Sequence, residues 1–423
     1  MTVSAQSSPA DPDQLGRHDS SSYDVEAVRA SFPALREGAA HFDGPGGSQV
    51  PSPVADAVAD TLRSAIANRG TVSAAERRAD DIVTGARAAI GDLLGVDPQG
   101  VVFGRSMTSL TFDFARTLAK SWGPGDEVVV SRLDHDANIR PWVYAAAASG
   151  AELRWAEFDP NDGELQPAAI EAVLSDRTRL VAVTAASNLI GTRPDVAEIC
   201  RRAHAAGALC YVDGVHFAAH CPVDVADLGA DFFVCSPYKF FGPHCGVLAA
   251  RVDLLATLDS DKLLPQTAAV PERFELGTLP YELLAGCTAA VDFIAGLAPD
   301  PAPSRRARVL AAMSAIEAYE DDLRIGLESQ LSELPGIVSY SRAAHRTPTL
   351  LVSFEGKSSD AAQRSLAASG VNAPAGSFYA LEASRALGLG DDGALRVGLA
   401  PYTDGDDISR LVEGLQAFTA TSP

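Results

Sequence analysis

Beyond about Ser52 the chain alternates short apolar runs with alanine-rich amphipathic ones, and this alternation limits its fold more than any other feature. Strand candidates are GVVFG, EVVVS, ELRWAEF, RLVAVTAA, ALCYVDGV, DFFVCS and HCGVLAAR, which begin at Gly100, Glu127, Glu152, Arg179, Ala208, Asp231 and His244. Several are separated by runs such as PDVAEICRRAHAAGA, whose apolar residues recur at helical spacing. Apolar strands that alternate with helices predict an α/β fold with a parallel or mostly parallel sheet covered on both faces. In such sheets ligands bind at the carboxyl ends of the strands.

The rest of the chain is organised around that unit. Residues 1–22 are polar without periodicity and read as disordered. In the segment 23–51, YDVEAVRASFPAL reads as a short helix ending near Pro33 and HFDGPGGSQVP as a turn. A large domain is expected over 52–298. Prolines in AGLAPDPAPSRRARV mark its end, and 299–423 reads as a small α+β domain. A long helix from about Ser304 to Glu320 opens that domain, followed by strands in GIVSYS, TPTLLVSF and ALRVGLA.

Thirty-four basic and fifty-five acidic side chains give a net charge of −21, a field that repels nucleic acid and anionic membrane. An anionic substrate must then be held by a local arginine or by backbone amides. The six cysteines form no C-x-x-C pair and match no zinc module. The sequence shows neither a signal-peptide pattern nor a run of about twenty apolar residues, so a reduced cytoplasm is the default compartment.

Against this background one lysine stands apart. Only Lys120, Lys239, Lys262 and Lys357 occur in 423 residues, and Lys239 alone follows a run that reads as buried, ADFFVC. Its amine is either lowered in pKa by burial, as a Schiff-base nucleophile requires, or snorkels to the surface. Other strand ends carry further polar groups. Ser106 and Thr108 open a helix, where they suit either an anion such as phosphate or ordinary capping. Asp134, His135 and Asp136 follow a second strand. Neighbours on an extended segment point apart, so a shared metal ion is less natural than an imidazole lying against a cofactor ring or shuttling protons. Ser187 and Asn188 end a third strand, and Asp213 and His216 a fourth. Asp213 is expected to be buried, paired with a donor such as a pyridinium N–H or capping a helix.

VDGVH…CSPYK resembles the core of the class V aminotransferase-like enzymes, fold-type I pyridoxal-phosphate (PLP) proteins that include the cysteine desulfurases. The likeness continues, in order, through HFDGPGG, LDHDANIRPW, ASNLIGT, RFELGT and LRVGLAPY. It implies that Lys239 forms the Schiff base, Asp213 partners the pyridine nitrogen and His135 stacks on the ring. Asn188 and His216 fall where side chains contact the ring hydroxyl. Met107 (through its amide), Thr108, Ser236 and Tyr238 fall at phosphate positions. Gly277 and Thr278 match a loop that reaches the phosphate of the partner subunit, which implies a homodimer. Arg396 matches the clamp for the substrate carboxylate, and Leu395, Val397 and Leu399 sharing one face puts Arg396 on the other.

The chain departs from the desulfurases at their nucleophile. PAGSFYA places Tyr379 at the persulfide cysteine, and no cysteine follows Cys287. An α-amino acid is the expected substrate. A C–S β-lyase acting on an S-substituted cysteine is expected first, with specialised biosynthesis as one possible setting. Epimerisation, transamination and decarboxylating oxidation are the alternatives. Tyr379 then shields the site, protonates the leaving group or packs at the domain boundary.

Overall fold

The computed structural model describes residues 23–298 and 302–420. The disorder expected for 1–22 lies outside the described residues, as does part of the proline-rich stretch read as a boundary.

Seven of the expected strands form one sheet: β1 (Val101–Gly104), β2 (Glu127–Ser131), β3 (Glu152–Ala156), β4 (Thr178–Thr184), β5 (Leu209–Asp213), β6 (Phe232–Cys235) and β7 (Gly246–Ala250). Their spatial order is β1-β7-β6-β5-β4-β2-β3. Neighbours are parallel except β7, which runs antiparallel to both β1 and β6.

Side chains alternate between two cores, as the strand repeat requires. Val129, Val181, Val183, Val212 and Phe233 enter one, with Val83, Ala86 and Ile90 of α1 (Ala74–Leu94). Val128, Val130, Leu180, Tyr211 and Phe232 enter the other, with Leu110 and Phe114 of α2 (Met107–Ala119) and Trp142 of α3 (Arg140–Ser149). Both faces are covered, so polar side chains are confined to the amino ends of β2 and β4, to Glu152 and Arg154 on the edge strand β3, and to the carboxyl ends of the strands.

Helices α4 (Tyr281–Gly296) and α5 (Arg305–Ser332) lead to the C-terminal unit. Helix α5 starts where expected, with Ser304 as its cap, but runs on past Glu320 to Ser332. Its buried stripe passes through Glu320 and Arg324. These paired polar residues interrupt the apolar period on which the shorter reading rested. An antiparallel sheet of β8 (Ile337–Ser339), β9 (Thr349–Phe354), β10 (Ala375–Gly376) and β11 (Ala394–Gly398) follows, in the order β10-β11-β9-β8. Leu395, Val397 and Leu399 pack under α6 (Ser359–Ala368) and α7 (Gly405–Ala420), sharing one core. Residues Ala40–His41 pair with Val371–Asn372, which ties the N-terminal segment to this unit. These two-residue strands and β10 are too short to show a period of two, and sequence reading missed them. Among the described residues no helix is long and apolar enough to cross a membrane.

Two contacts place the loops around the sheet edge. A Cβ on Gly246 would lie 2.2 Å from the carbonyl carbon of Ser106, so only glycine lets the start of α2 sit directly over β7. Arg87, 2% exposed, donates to Glu275 Oε1 and Oε2 at 2.9 and 2.8 Å, and Glu275 Oε1 also accepts from the Phe103 amide at 2.9 Å. Glu275 stands just before Gly277 and Thr278 and anchors their loop. Removing one partner of a buried pair costs about 3–5 kcal/mol, because the other charge stays buried. Glu275→Ala should lower stability by that amount in urea unfolding at fixed protein concentration. A loss below about 1 kcal/mol, the worth of an exposed pair, would show that the contact does not hold the fold.

Candidate active site

The carboxyl ends of β2, β4, β5 and β6, the start of α2, Pro45 and Gly46, and the residues beside β10 and β11 enclose a cavity of about 740 Å³. It is lined by Met107, Thr108, His135, Asn188, Asp213, His216, Ser236, Tyr238, Lys239, Tyr379 and Arg396, so the expected site residues converge. Gly277 and Thr278 do not join them. They are exposed and lie outside the cavity lining of their own chain.

Asp213 is the last residue of β5, and its Oδ1 accepts from the Val215 amide at 2.9 Å. It caps no helix, contrary to one sequence reading, because the next short helix, Phe217–Ala219, has His216 at its cap position. A Cβ on Gly214 would lie 1.9 Å from the Phe233 ring, so the turn after the carboxylate requires glycine. Burial raises the Asp213 carboxyl to about 7, against the pull of the Lys239 ammonium. Lys239 ends a turn of 3-10 helix after β6, lines the cavity and donates from Nζ to the Pro45 carbonyl. Burial and the Arg396 cation lower its amine to about 7, with Asp213 opposing. Its head therefore stays at the cavity instead of snorkelling to the outer surface.

His135 Nδ1 accepts from the Ala137 amide at 3.0 Å, which leaves the ring proton on Nε2. Burial and the cations of Lys239 and Arg396 push the imidazole down to about 4, so it is neutral at physiological pH. Its neighbours diverge as an extended segment requires. Asp134 turns inward to accept from Ser131 Oγ and from Asn138 Nδ2, while Asp136 pairs with Arg140 at 2.8 Å.

Asn188 joins the two units. Its Nδ2 donates to the Phe378 carbonyl at 2.9 Å, and its own carbonyl accepts from Arg396 Nη1 at 3.0 Å. Nε2 of His216 contacts the hydroxyls of Thr347 and Thr349 at 2.9 and 3.0 Å. Asn188 Oδ1 and His216 Nδ1 are buried without a protein partner. Ser106 caps α2 by accepting from the Ser109 amide at 3.1 Å, as one of its two readings held. Met107 and Thr108 in the first turn line the cavity, as do Ser236 and Tyr238.

Tyr379 is 76% exposed, and its ring centroid lies 5.5 Å from that of His135. Phe378 and Tyr379 both adopt left-handed backbone, at φ 51° and 60°. Sequence reading missed Phe378, and also Phe112 and Tyr144 on the cavity wall. Nothing in SFY signals a conformation that usually calls for glycine or asparagine. All six cysteines are buried and none lines the cavity. Cys245 has its sulfur 3.3 Å from that of Cys287, and burial pushes the Cys235 thiol far above its ordinary range.

Residues 40–411 match the family described as aminotransferase class-V. The chain is a class V aminotransferase-family protein. An uncharacterised protein of Mycobacterium tuberculosis is 33% identical over 94% of this chain and 99% of its own length. A cysteine desulfurase of Dickeya dadantii is 32% identical over 93% of this chain and 96% of its own. Among solved structures, the Escherichia coli cysteine desulfurase CsdA superposes with a TM-score of 0.82 at 27% identity, covering 93% of this chain and 98% of that one. Class V enzymes of this kind work with PLP, and this class V protein is a PLP-dependent enzyme.

The lowered amine gives a direct test. A lysine is nucleophilic only when neutral, and Lys239 becomes so above pH 7. Asp261 and Asp259 hold the Lys120 ammonium above its usual pKa. In cofactor-free protein an amine-selective acylating reagent at pH 8 should therefore label Lys239 and spare Lys120, as mapped by peptide mass spectrometry. Equal labelling of the two would overturn the perturbed amine.

Proposed function

We propose that this class V enzyme is a C–S β-lyase acting on an S-substituted cysteine. The observation that carries this reading is the cavity wall: Tyr379 stands on the loop where a desulfurase carries its persulfide cysteine, and no cysteine lines the cavity. Sulfur released at Cβ then has no protein acceptor and leaves as a thiol.

The cavity fits PLP. Asn188 Oδ1 and His216 Nδ1, buried and unpaired, suit the ring hydroxyl. Asp213 lies at the depth where a pyridine N–H would relieve its burial, and a carboxylate there keeps that nitrogen protonated. His135 would lie against the ring face. Met107 N, Thr108, Ser236 and Tyr238 would hold the phosphate, assisted by the start of α2. Lys239 would hold the cofactor covalently through Nζ. When bound, PLP supplies an electron sink for the pair left at Cα of the substrate.

The chain's own groups do the rest. Arg396 receives the α-carboxylate. The Lys239 amine, free once the substrate's amine has taken its place on the cofactor, would take the Cα proton on Nζ and is poised to do so near neutral pH. Tyr379, beside His135 at the mouth, covers the departing sulfur and is one source of its proton. In balance, the S-substituted cysteine and one water give a thiol, pyruvate and ammonia. The Gly277–Thr278 loop is exposed and outside its own chain's cavity, which suits a homodimer in which it would reach the partner's site. Six buried thiols and no disulfide suit a reduced cytoplasm.

Incubation of the holoenzyme with S-methylcysteine should yield methanethiol, pyruvate and ammonia in equal amounts. With free cysteine, intact-mass analysis should find no added sulfur on the protein. A stoichiometric gain of one sulfur on Cys235 or Cys245 would sink the lyase reading and return the enzyme to desulfurase chemistry. Asp213→Asn should bind PLP but lose most turnover, since the amide no longer keeps the ring nitrogen protonated. Near-normal turnover would remove Asp213 from the ring.

A further inference from the structure

We propose that Phe378 is the positioning residue for Arg396, fixing the plane in which the guanidinium receives a substrate carboxylate. The proposal rests on the assignment of Arg396 as the carboxylate clamp. The Arg396 guanidinium carbon lies 3.7 Å from the centroid of the Phe378 ring. At that separation the planar fork must lie close to parallel with the ring, since a steep tilt would drive a nitrogen inside van der Waals contact. Contact with the ring therefore sets the plane. Rotation within that plane is set separately, by the bond from Nη1 to the Asn188 carbonyl. Orientation is thereby fixed in both senses, and among the described residues no acidic side chain forms an ion pair with Arg396; Asp43 acts on its charge without pairing with it. The attraction of a desolvated cation to an aromatic face holds the arrangement.

The backbone of Phe378 indicates that this contact is built. A bulky residue at φ 51° is an outlier, and two in succession persist only where their surroundings over-determine them. Here the Phe378 carbonyl accepts from Asn188 Nδ2 and the Tyr379 carbonyl accepts from the Asp136 amide at 2.7 Å. Asn188 thus grips both Phe378 and Arg396. Phe378 packs at the margin of the main apolar cluster, yet it is only partly buried and its ring lines the cavity.

Binding, read from the absorbance of the bound cofactor, tests the proposal independently of which reaction follows. The probes are S-methylcysteine and its decarboxylated counterpart, methylthioethylamine. Phe378→Leu in the holoenzyme should weaken the amino acid roughly ten- to thirtyfold, the span of a desolvated cation–π contact, and leave the amine unchanged. Phe378→Tyr keeps the aromatic face and should bind both probes as the wild type does. Phe378→Gly adopts the left-handed backbone without strain and, should the leucine variant fail to fold, must show the same selective loss. Equal weakening of both probes, or none for the amino acid, overturns the proposal. Arg396→Ala separates the two layers. If it leaves the preference for the amino acid intact, the clamp is wrong and Phe378 falls with it. If it abolishes the preference while Phe378→Leu retains it, only the positioning role fails.

Discussion

A carboxylate and an amine share the carboxyl edge of a sheet that is otherwise apolar on both faces, and the site depends on that placement. Because β4, β5 and β6 bury both of their faces, water does not reach Asp213 or Lys239 from below. The same desolvation pushes the two groups in opposite directions, and both come to titrate near neutrality. Each is then ready for a partner it lacks in the protein alone: a cationic ring nitrogen for Asp213, a carbonyl carbon for Lys239. On a solvated surface neither group would be perturbed, and the same residues would be ordinary.

The second unit completes the edge by closing over it. Arg396 arrives on β11, whose alternate residues Leu395 and Val397 are committed to a core under α6 and α7. Strand geometry therefore aims the guanidinium at the cavity. The junction packs Leu351, Ala380 and Ala394 into the core that holds Val181 and Val212. At the cavity it is crossed by polar bonds from Asn188 to Phe378 and Arg396, from His216 to Thr347 and Thr349, and from Arg132 and Arg140 to Glu382. Such bonds orient side chains strongly, because each group is buried and costly to leave unpaired. They also leave two unpaired polar atoms on the wall, Asn188 Oδ1 and His216 Nδ1, which mark where a polar ligand belongs.

Much of this was legible before any coordinates. Each expected strand of the main sheet forms, and most of the residues singled out at the strand ends line one cavity, although Asp134 and Ser187 are buried outside it. The reason is that buried strands announce themselves as apolar runs and functional groups follow them at fixed places. What failed to show in the sequence failed for definite causes. Helix α5 was read short because a buried glutamate and a buried arginine sit in its stripe. The sequence leaves helix capping open as an alternative for Asp213, and the following turn does not allow it. Nothing signals Phe378 in the sequence because the turn at Phe378 and Tyr379 is held by Asn188 on the first and Asp136 on the second, which lie far away along the chain.

The sequence by itself determined the layered α/β architecture, the class V motifs and the absence of a loop cysteine, since these depend on periodicity and on residue identity at short range. Only the tertiary structure decided the ionisation of Asp213, Lys239 and His135, the left-handed turn at Phe378 and Tyr379, and the grip of Phe378 on Arg396. Desolvation depends on everything packed around a group, and a strained turn exists only while distant hydrogen bonds hold it. Neither is a property of neighbours in sequence.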